Sequence, residues 1–277
     1  MNTNCLINGE PRDTIAVSDR GLQYGDGLFE TLAVIDGCCE FWERHMHRLS
    51  RGCERLRIPA PDPELLKAEA AKLTEGQTRA VLKIIITRGS GGRGYQIPSS
   101  PQPTRVLQLS DWRMHPAEFA ETGVQLRTCQ QRLSRNQALA GVKHLNRLEQ
   151  VLARSEWNEP EIAEGLMLDE LGQVIEGTFT NLFLVENEKL ITPRLDHCGV
   201  DGILRAVMMD LAFSCKIECG EQTILPERLV NADELFITNS LIGIWPVRAL
   251  DQHSFPPGPV TRRLQHALTA FRQSQGT

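Results

Sequence analysis

The stretch from Ala80 to Leu109 constrains this chain more than any other. AVLKIIIT, residues 80–87, is a β-branched run of strand length, and Thr104–Leu109 is a second. Between them, RGSGGRGYQIPSSPQP holds too much glycine, proline and serine for either helix or strand. A loop of that length in a compact domain is functional ground. Its residues 89–94, GSGGRG, fit the dinucleotide template G-x-G-x-x-G and follow a strand. The template also needs a helix immediately afterwards to seat a pyrophosphate, and Pro98, Pro101 and Pro103 lead into another strand instead. That context argues against a Rossmann crevice here.

Elsewhere strand and helix patterns follow one another irregularly, without the sustained βαβ alternation of a doubly wound sheet. Cys5–Ile7 and Leu28–Ile35 read as short strands separated by a polar, glycine-bearing loop, SDRGLQYGDG. From Glu40 to Ile58, Met46, Leu49, Cys53 and Leu56 share one helical face, with Arg48, Arg51 and Arg55 on another. Asp62 before Pro63 is an N-cap with proline at the first helical position, opening a helix through Leu66, Ala70 and Leu73. A junction falls in Ser110–Pro116 and divides the chain into residues 1–112 and 113–277. Beyond it Val124, Leu126 and Thr128 alternate as a strand face, and Leu145, Leu148, Leu152 and Ser155 trace one side of a helix. Strands at Gly165–Asp169, Gln173–Glu176 and Asn181–Val185 precede a helix around Leu204–Leu211, a strand at Leu235–Thr238 and a last amphipathic helix bearing Leu264, Leu268 and Phe271. The expected fold class is α+β, with strands and helices mixed in two domains.

Thirty basic against thirty-five acidic side chains give a formal charge of −5, so no sequence-wide field draws nucleic acid or anionic lipid. No apolar run approaches the ~20 residues that span a bilayer, and the start, MNTNCLINGEPR, lacks the segments of a signal peptide. Eight cysteines, with Cys38 and Cys39 adjacent and Cys215 and Cys219 separated by three residues rather than two, form neither a disulfide framework nor a zinc signature. They read as small core residues of a cytoplasmic protein without a metal. Walker, HExxH and GxSxG motifs are also missing.

Two residues carry more chemistry than their surroundings. Lys143 stands between a glycine and a helical pattern in LAGVKHLNRLEQVL, and Glu176 closes a strand in QVIEGTFTNLFLV. Singly, the first is a solvated charge and the second a turn acid. The set DRGLQYGDGLFET, HMHRL, ITRGSGGRGY, GVKHLNRLEQ and IEGTFTNLF, in that order, is far more specific than either.

This ordered set resembles the fold-type IV family of pyridoxal-phosphate enzymes over essentially the whole chain. The family includes branched-chain and D-amino acid aminotransferases and aminodeoxychorismate lyases. The resemblance implies a smaller N-terminal α/β domain, a larger barrel-like C-terminal domain, pyridoxal 5'-phosphate as cofactor, and a homodimer with both subunits near each site. It also implies that Lys143 bonds the cofactor aldehyde and that Glu176 hydrogen-bonds the pyridine nitrogen. Arg48 matches the phosphate-binding arginine, and a guanidinium fork suits a dianion. His45 and His47 beside it are read as one core and one surface histidine. Ile203 and Leu204, in DGILR, match positions whose backbone amides hold the phosphate. Ser240, in ITNSLIG, matches a hydroxyl donor to the same phosphate, with Asn239 competing for the assignment. Arg93 matches the position that reaches the substrate carboxylate.

Within the family, TRGSGGRGY and GVKHLNRLEQ look most like the lyases. Phe29 and Tyr95 stand where D-amino acid aminotransferases carry a tyrosine and a histidine, so the carboxylate trap of those enzymes is altered. The implied reaction is release of pyruvate from 4-amino-4-deoxychorismate, leaving 4-aminobenzoate for folate synthesis, with Thr31 protonating the leaving group. Two alternatives stand beside it: transamination of D-amino or branched-chain amino acids, and a non-catalytic cofactor- or nucleotide-binding module supported only by the glycine loop.

Overall fold

The structure is a computed structural model that describes residues 4–275, and its contacts gather the chain into two units. The first comprises the chain up to Met114 together with Val142–Asn146, and the second comprises His115–Gly141 and the chain from Arg147 onward. The return of five residues to the first unit has no trace in composition, because so short a segment needs no linker.

In the first unit the elements are β1 (Cys5–Ile7), β2 (Glu10–Pro11), α1 (Arg20–Tyr24), β3 (Gly27–Ile35), β4 (Cys38–Cys39), α2 (Trp42–Leu56), α3 (Pro63–Thr74), β5 (Arg79–Thr87) and β6 (Thr104–Asp111). The strands form one sheet in the order β2-β1-β6-β5-β3-β4. Pairing is antiparallel throughout, with β3 and β5 in register from Gly27 opposite Thr87 to Ile35 opposite Arg79. Because side chains alternate along a strand, Leu28, Leu32 and Val34 join Leu82, Ile84, Ile86, Leu107 and Leu109 on one face. That face packs on Met46, Leu49 and Cys53 of α2 and Leu66, Ala70 and Leu73 of α3. Each fully buried leucine or isoleucine contributes roughly 1.5–3 kcal/mol, which sets this sheet as a rigid platform. The opposite face, with Phe29, Thr31, Val81, Lys83 and Ile85, is half-buried.

One local expectation changes here. SDRGLQYGDG is not all loop: Asp19 accepts a hydrogen bond from the Gly21 amide and caps α1, and Gly25 ends it in the left-handed region at φ 65°. A five-residue helix is too short to leave a periodic signature. Asp62 caps α3 at the Glu64 amide (2.9 Å) as its sequence requires.

The second unit contains α4 (Glu118–Glu121), β7 (Val124–Leu133), α5 (Leu148–Arg154), β8 (Ile162–Asp169), β9 (Val174–Gly177), β10 (Asn181–Glu186), β11 (Lys189–Pro193), α6 (Ile203–Ser214), β12 (Cys219–Gln222), α7 (Pro226–Leu229), β13 (Glu234–Asn239), β14 (Gly243–Leu250), β15 (His253–Ser254) and α8 (Pro259–Gln275). Its nine-stranded sheet runs β12-β11-β10-β13-β14-β7-β8-β9, with β15 paired to β14. The sheet curls until β9, at one end, meets β10 and β11. Leu126, Leu166, Leu182, Leu184, Ile237 and Val247 fill its core. The fold is thus mixed α and β with a half-barrel sheet.

Helix α5 begins at Leu148, so Leu145 is not on it, and the apolar stripe points outward: Leu148, Val151 and Leu152 are 75%, 60% and 55% exposed. Among the described residues all eight cysteines are free, but only Cys53, Cys129 and Cys198 are buried, while Cys38 on edge strand β4 is exposed. No helix among the described residues is long and apolar enough to cross a membrane.

Candidate active site

The first unit assembles one set of groups around β3. Residues 142–146 run beside the start of that strand, with the Phe29 amide donating to the Lys143 carbonyl and the Leu145 amide to the Gly27 carbonyl, both at 3.0 Å. The two glycines of the Gly-Asp-Gly motif permit this approach. A Cβ on Gly25 would lie 2.4 Å from Asn146 Oδ1, and one on Gly27 would lie 2.8 Å from Leu145 and 2.5 Å from the Ile86 carbonyl. Lys143 is therefore held by its backbone in an extended segment, not at a helix entrance. Its ammonium lies over the Phe29 ring at 4.2 Å, and that of Lys83 lies over the same ring at 5.4 Å. Thr31, two residues along β3, points to the same side as Phe29.

On the other side of β3 stands Glu30, a carboxylate at a core-facing position. Arg48 grips it through Nε (2.9 Å) and Nη2 (2.5 Å), and His45 Nδ1 meets it at 2.6 Å. Burial alone would raise the Glu30 carboxyl, but the Arg48 charge and the bonds from His45 and Arg48 outweigh it and bring it down to about 2. Burial lowers His45, so its neutral ring donates from Nδ1 to the carboxylate. His45 is the core histidine and His47 the exposed one. The fixed edge of Arg48 turns a flexible side chain into an oriented donor.

A lowered carboxyl contributes stability that is present above its unfolded value, near 4.5, and lost as pH falls toward 2. The loss amounts to about 3 kcal/mol. Glu30→Gln should accordingly show a flatter decline in urea stability over that interval than the wild type. Parallel declines would mean that the triad contributes nothing to acid sensitivity.

The second unit carries Glu176 and the start of α6. Glu176 is buried on β9, and its Oε2 accepts from the Val200 amide (2.8 Å) and, at a longer 3.4 Å, from Asn181 Nδ2. Gly199, at φ 86°, leaves room behind it, since a Cβ there would come within 2.8 Å of Ile175. Gly202 begins α6 with no side-chain cap and no acidic residue in the first turn, and its missing Cβ would fall 1.9 Å from Asn181 Oδ1. The first amides of this helix, Ile203 and Leu204 among them, so form a donor cradle of the kind that takes a phosphate.

Asn239 is committed elsewhere. Its Oδ1 accepts from the amides of Leu241 (2.8 Å) and Ile242 (3.0 Å), and its Nδ2 donates to the Phe179 carbonyl. Ser240 is half-buried in the same turn. Arg93 is exposed on the glycine loop, and Tyr95, 85% exposed, meets Tyr24 edge-on at 5.5 Å. A further buried acid escaped the sequence reading. Glu164 on β8 accepts from the Thr178 and Phe179 amides and the Thr178 and Thr180 hydroxyls, and so shapes the turn after Glu176. A carboxylate inside the apolar run IAEGLMLD is the signal that marks it.

Each unit by itself offers part of what a phosphorylated aldehyde with a basic ring nitrogen would engage: the first a lysine and an oriented guanidinium, the second a carboxylate and an uncapped helix start. Comparison with known proteins agrees. The amino-transferase class IV profile matches residues 27–250, and the chain belongs to that family. A 4-amino-4-deoxychorismate lyase from Pseudomonas aeruginosa has a crystal structure similar to this chain, with a TM-score of 0.93 and 45% identity, covering 96% of this chain and 98% of that one. The aminodeoxychorismate lyase of Vibrio harveyi is 37% identical over 268 residues, which cover 95% of this chain and 98% of the relative. A probable branched-chain-amino-acid aminotransferase of Thermotoga maritima is 39% identical over 250 residues, covering 88% of this chain and 85% of its own.

Proposed function

We propose that this chain is a pyridoxal-phosphate-dependent carbon–oxygen lyase that converts 4-amino-4-deoxychorismate to 4-aminobenzoate and pyruvate. The observation that carries the reading is the near-complete likeness to the Pseudomonas aeruginosa lyase at 45% identity. The loop TRGSGGRGY and the substitutions Phe29 and Tyr95 favour it over transamination. Lys143 would bond the aldehyde, Glu176 face the pyridine nitrogen, and Arg48, the Ile203 and Leu204 amides and the Ser240 hydroxyl hold the phosphate. Asn239 is the weaker candidate because its amide is already engaged in the turn. When bound, the cofactor supplies an electron sink.

The chain's own groups do the proton work. Lys143 Nζ would take the proton from the amine-bearing ring carbon of the substrate. Thr31 Oγ1 delivers a proton to the departing enolpyruvyl group, from the side of β3 that also carries Phe29 and, over its ring, Lys143. Arg93 binds a substrate carboxylate. The exposed stripe of Leu148, Val151 and Leu152 supports a homodimer, which sedimentation equilibrium would read directly. Free thiols support a reducing, cytoplasmic setting.

The decisive assay couples pyruvate release from aminodeoxychorismate to a reporter dehydrogenase, beside amino transfer from D-alanine to 2-oxoglutarate. Pyruvate release should dominate; faster transamination would overturn the lyase reading in favour of the second one, which the Thermotoga maritima relative represents.

A further inference from the structure

The DRGLQYGDG segment, whose two last glycines let residues 142–146 approach β3, also contains a buried and heavily engaged cation. Arg20 is 4% exposed. Its Nε donates to Asp26 Oδ2 at 2.9 Å, and its Nη1 to the Gly94 carbonyl at 3.0 Å. Longer contacts of 3.5 Å reach the carbonyls of Tyr95 and Gln96. The guanidinium also stacks over Tyr24 at 4.9 Å, the ring that meets Tyr95. Three consecutive carbonyls directly after Arg93 are thus faced by one buried fork.

Asp26 extends the connection. Arg88 binds it through Nε (2.7 Å) and Nη2 (2.9 Å), and donates to the carbonyls of Leu56 (2.7 Å) and Arg57 (2.6 Å) at the end of α2. One carboxylate therefore joins the helix that bears Arg48 to the loop that bears Arg93. The loop needs such an anchor: Gly91, Gly92 and Gly94 give it a large conformational entropy to lose, and its residues 92–97 are exposed with little packing of their own. Gly91 is also the point at which the clamp touches the loop from below, because a Cβ there would fall 2.9 Å from Arg20 Cδ.

We propose that Arg20 is a positioning residue: through the carbonyls of Gly94–Gln96 it fixes the reach of Arg93, and so the fit of a carboxylate-bearing substrate. The substrate half of this statement rests on the lyase reading; the clamp half does not. Two variants of the cofactor-loaded enzyme test it. Arg20→Lys keeps a charge for Asp26 but loses the fork, and Gly91→Ala displaces the Arg20 stem without removing any donor.

Both should speed tryptic cleavage after Arg93, read by mass spectrometry, and raise the KM for aminodeoxychorismate roughly ten-fold, the loss of a charge-assisted hydrogen bond. The kcat should change far less, and the absorbance of bound cofactor should not change. A merely structural defect would lower kcat and cofactor binding while KM rises. Arg93→Leu should raise KM by itself, and adding Arg20→Lys to it should raise KM no further, since Arg20 acts through Arg93. Unchanged cleavage, an unchanged KM in an active enzyme, or additive effects in the double variant would each overturn the proposal. If Arg20→Lys does not fold, Gly91→Ala decides alone. If the wild type releases no pyruvate, the lyase reading fails separately and the cleavage rates still decide whether the clamp exists.

Discussion

Replacing Lys143 with alanine should abolish pyruvate release, by at least about 10³-fold, and remove the visible absorbance of protein-bound cofactor. In the proposed reaction the side chain is both covalent tether and proximal base, so no neighbour should substitute for it; Lys83 over the same Phe29 ring is a second amine but sits on β5. The variant should fold normally. The strand-like contacts of residues 142–146 are made by the backbone, through the Lys143 carbonyl and the Leu145 amide, and Val142 supplies the apolar anchor in the core. Thermal unfolding of the cofactor-free proteins should therefore coincide, and borohydride reduction of the wild type followed by peptide mapping should find the pyridoxyl group on Lys143. Its recovery on any other lysine would remove the central assignment.

What could be read from residues alone divides by range. Asp62-Pro63 and the β-branched run of β5 specify their elements because capping and period-two burial are local properties, and both are observed. The Lys143 segment departs from its side-chain pattern in one respect. LNRLEQVL has a helical period, but the helix waits until Leu148, because the preceding residues are drawn out along β3 by backbone bonds that no side-chain pattern announces. Resemblance supplied the roles of Lys143, Glu176 and Arg48, while their supports are tertiary. Glu30 meets His45 and Arg48 across 15 and 18 residues, and Asp26 meets Arg88 across 62. Glu30 was nonetheless detectable, since an acid between Leu28 and Leu32 in a strand must face the core and must find cations there. Arg20 was not, because its main loop partners are backbone carbonyls, which every residue offers.

Glu176 shows how such a support can be tested apart from the fold. In Glu176→Gln the side-chain oxygen can still accept from the Val200 amide at the place of Oε2, so β9 and the Gly199–Gly202 segment should keep their geometry. What changes is the other end of the group. A carboxylate favours a proton on a pyridine nitrogen facing it, whereas an amide can only donate to the neutral nitrogen, and the ring then draws electrons less strongly. The variant should retain cofactor with little loss of affinity and lose roughly ten- to a hundred-fold in kcat, the range of a charge-assisted hydrogen bond. Titration with cofactor and steady-state pyruvate release separate the two quantities. If the variant instead binds cofactor poorly but turns over at the wild-type rate once saturated, Glu176 is a binding residue that shapes the Val200 segment, and the protonated ring nitrogen has no part in the rate.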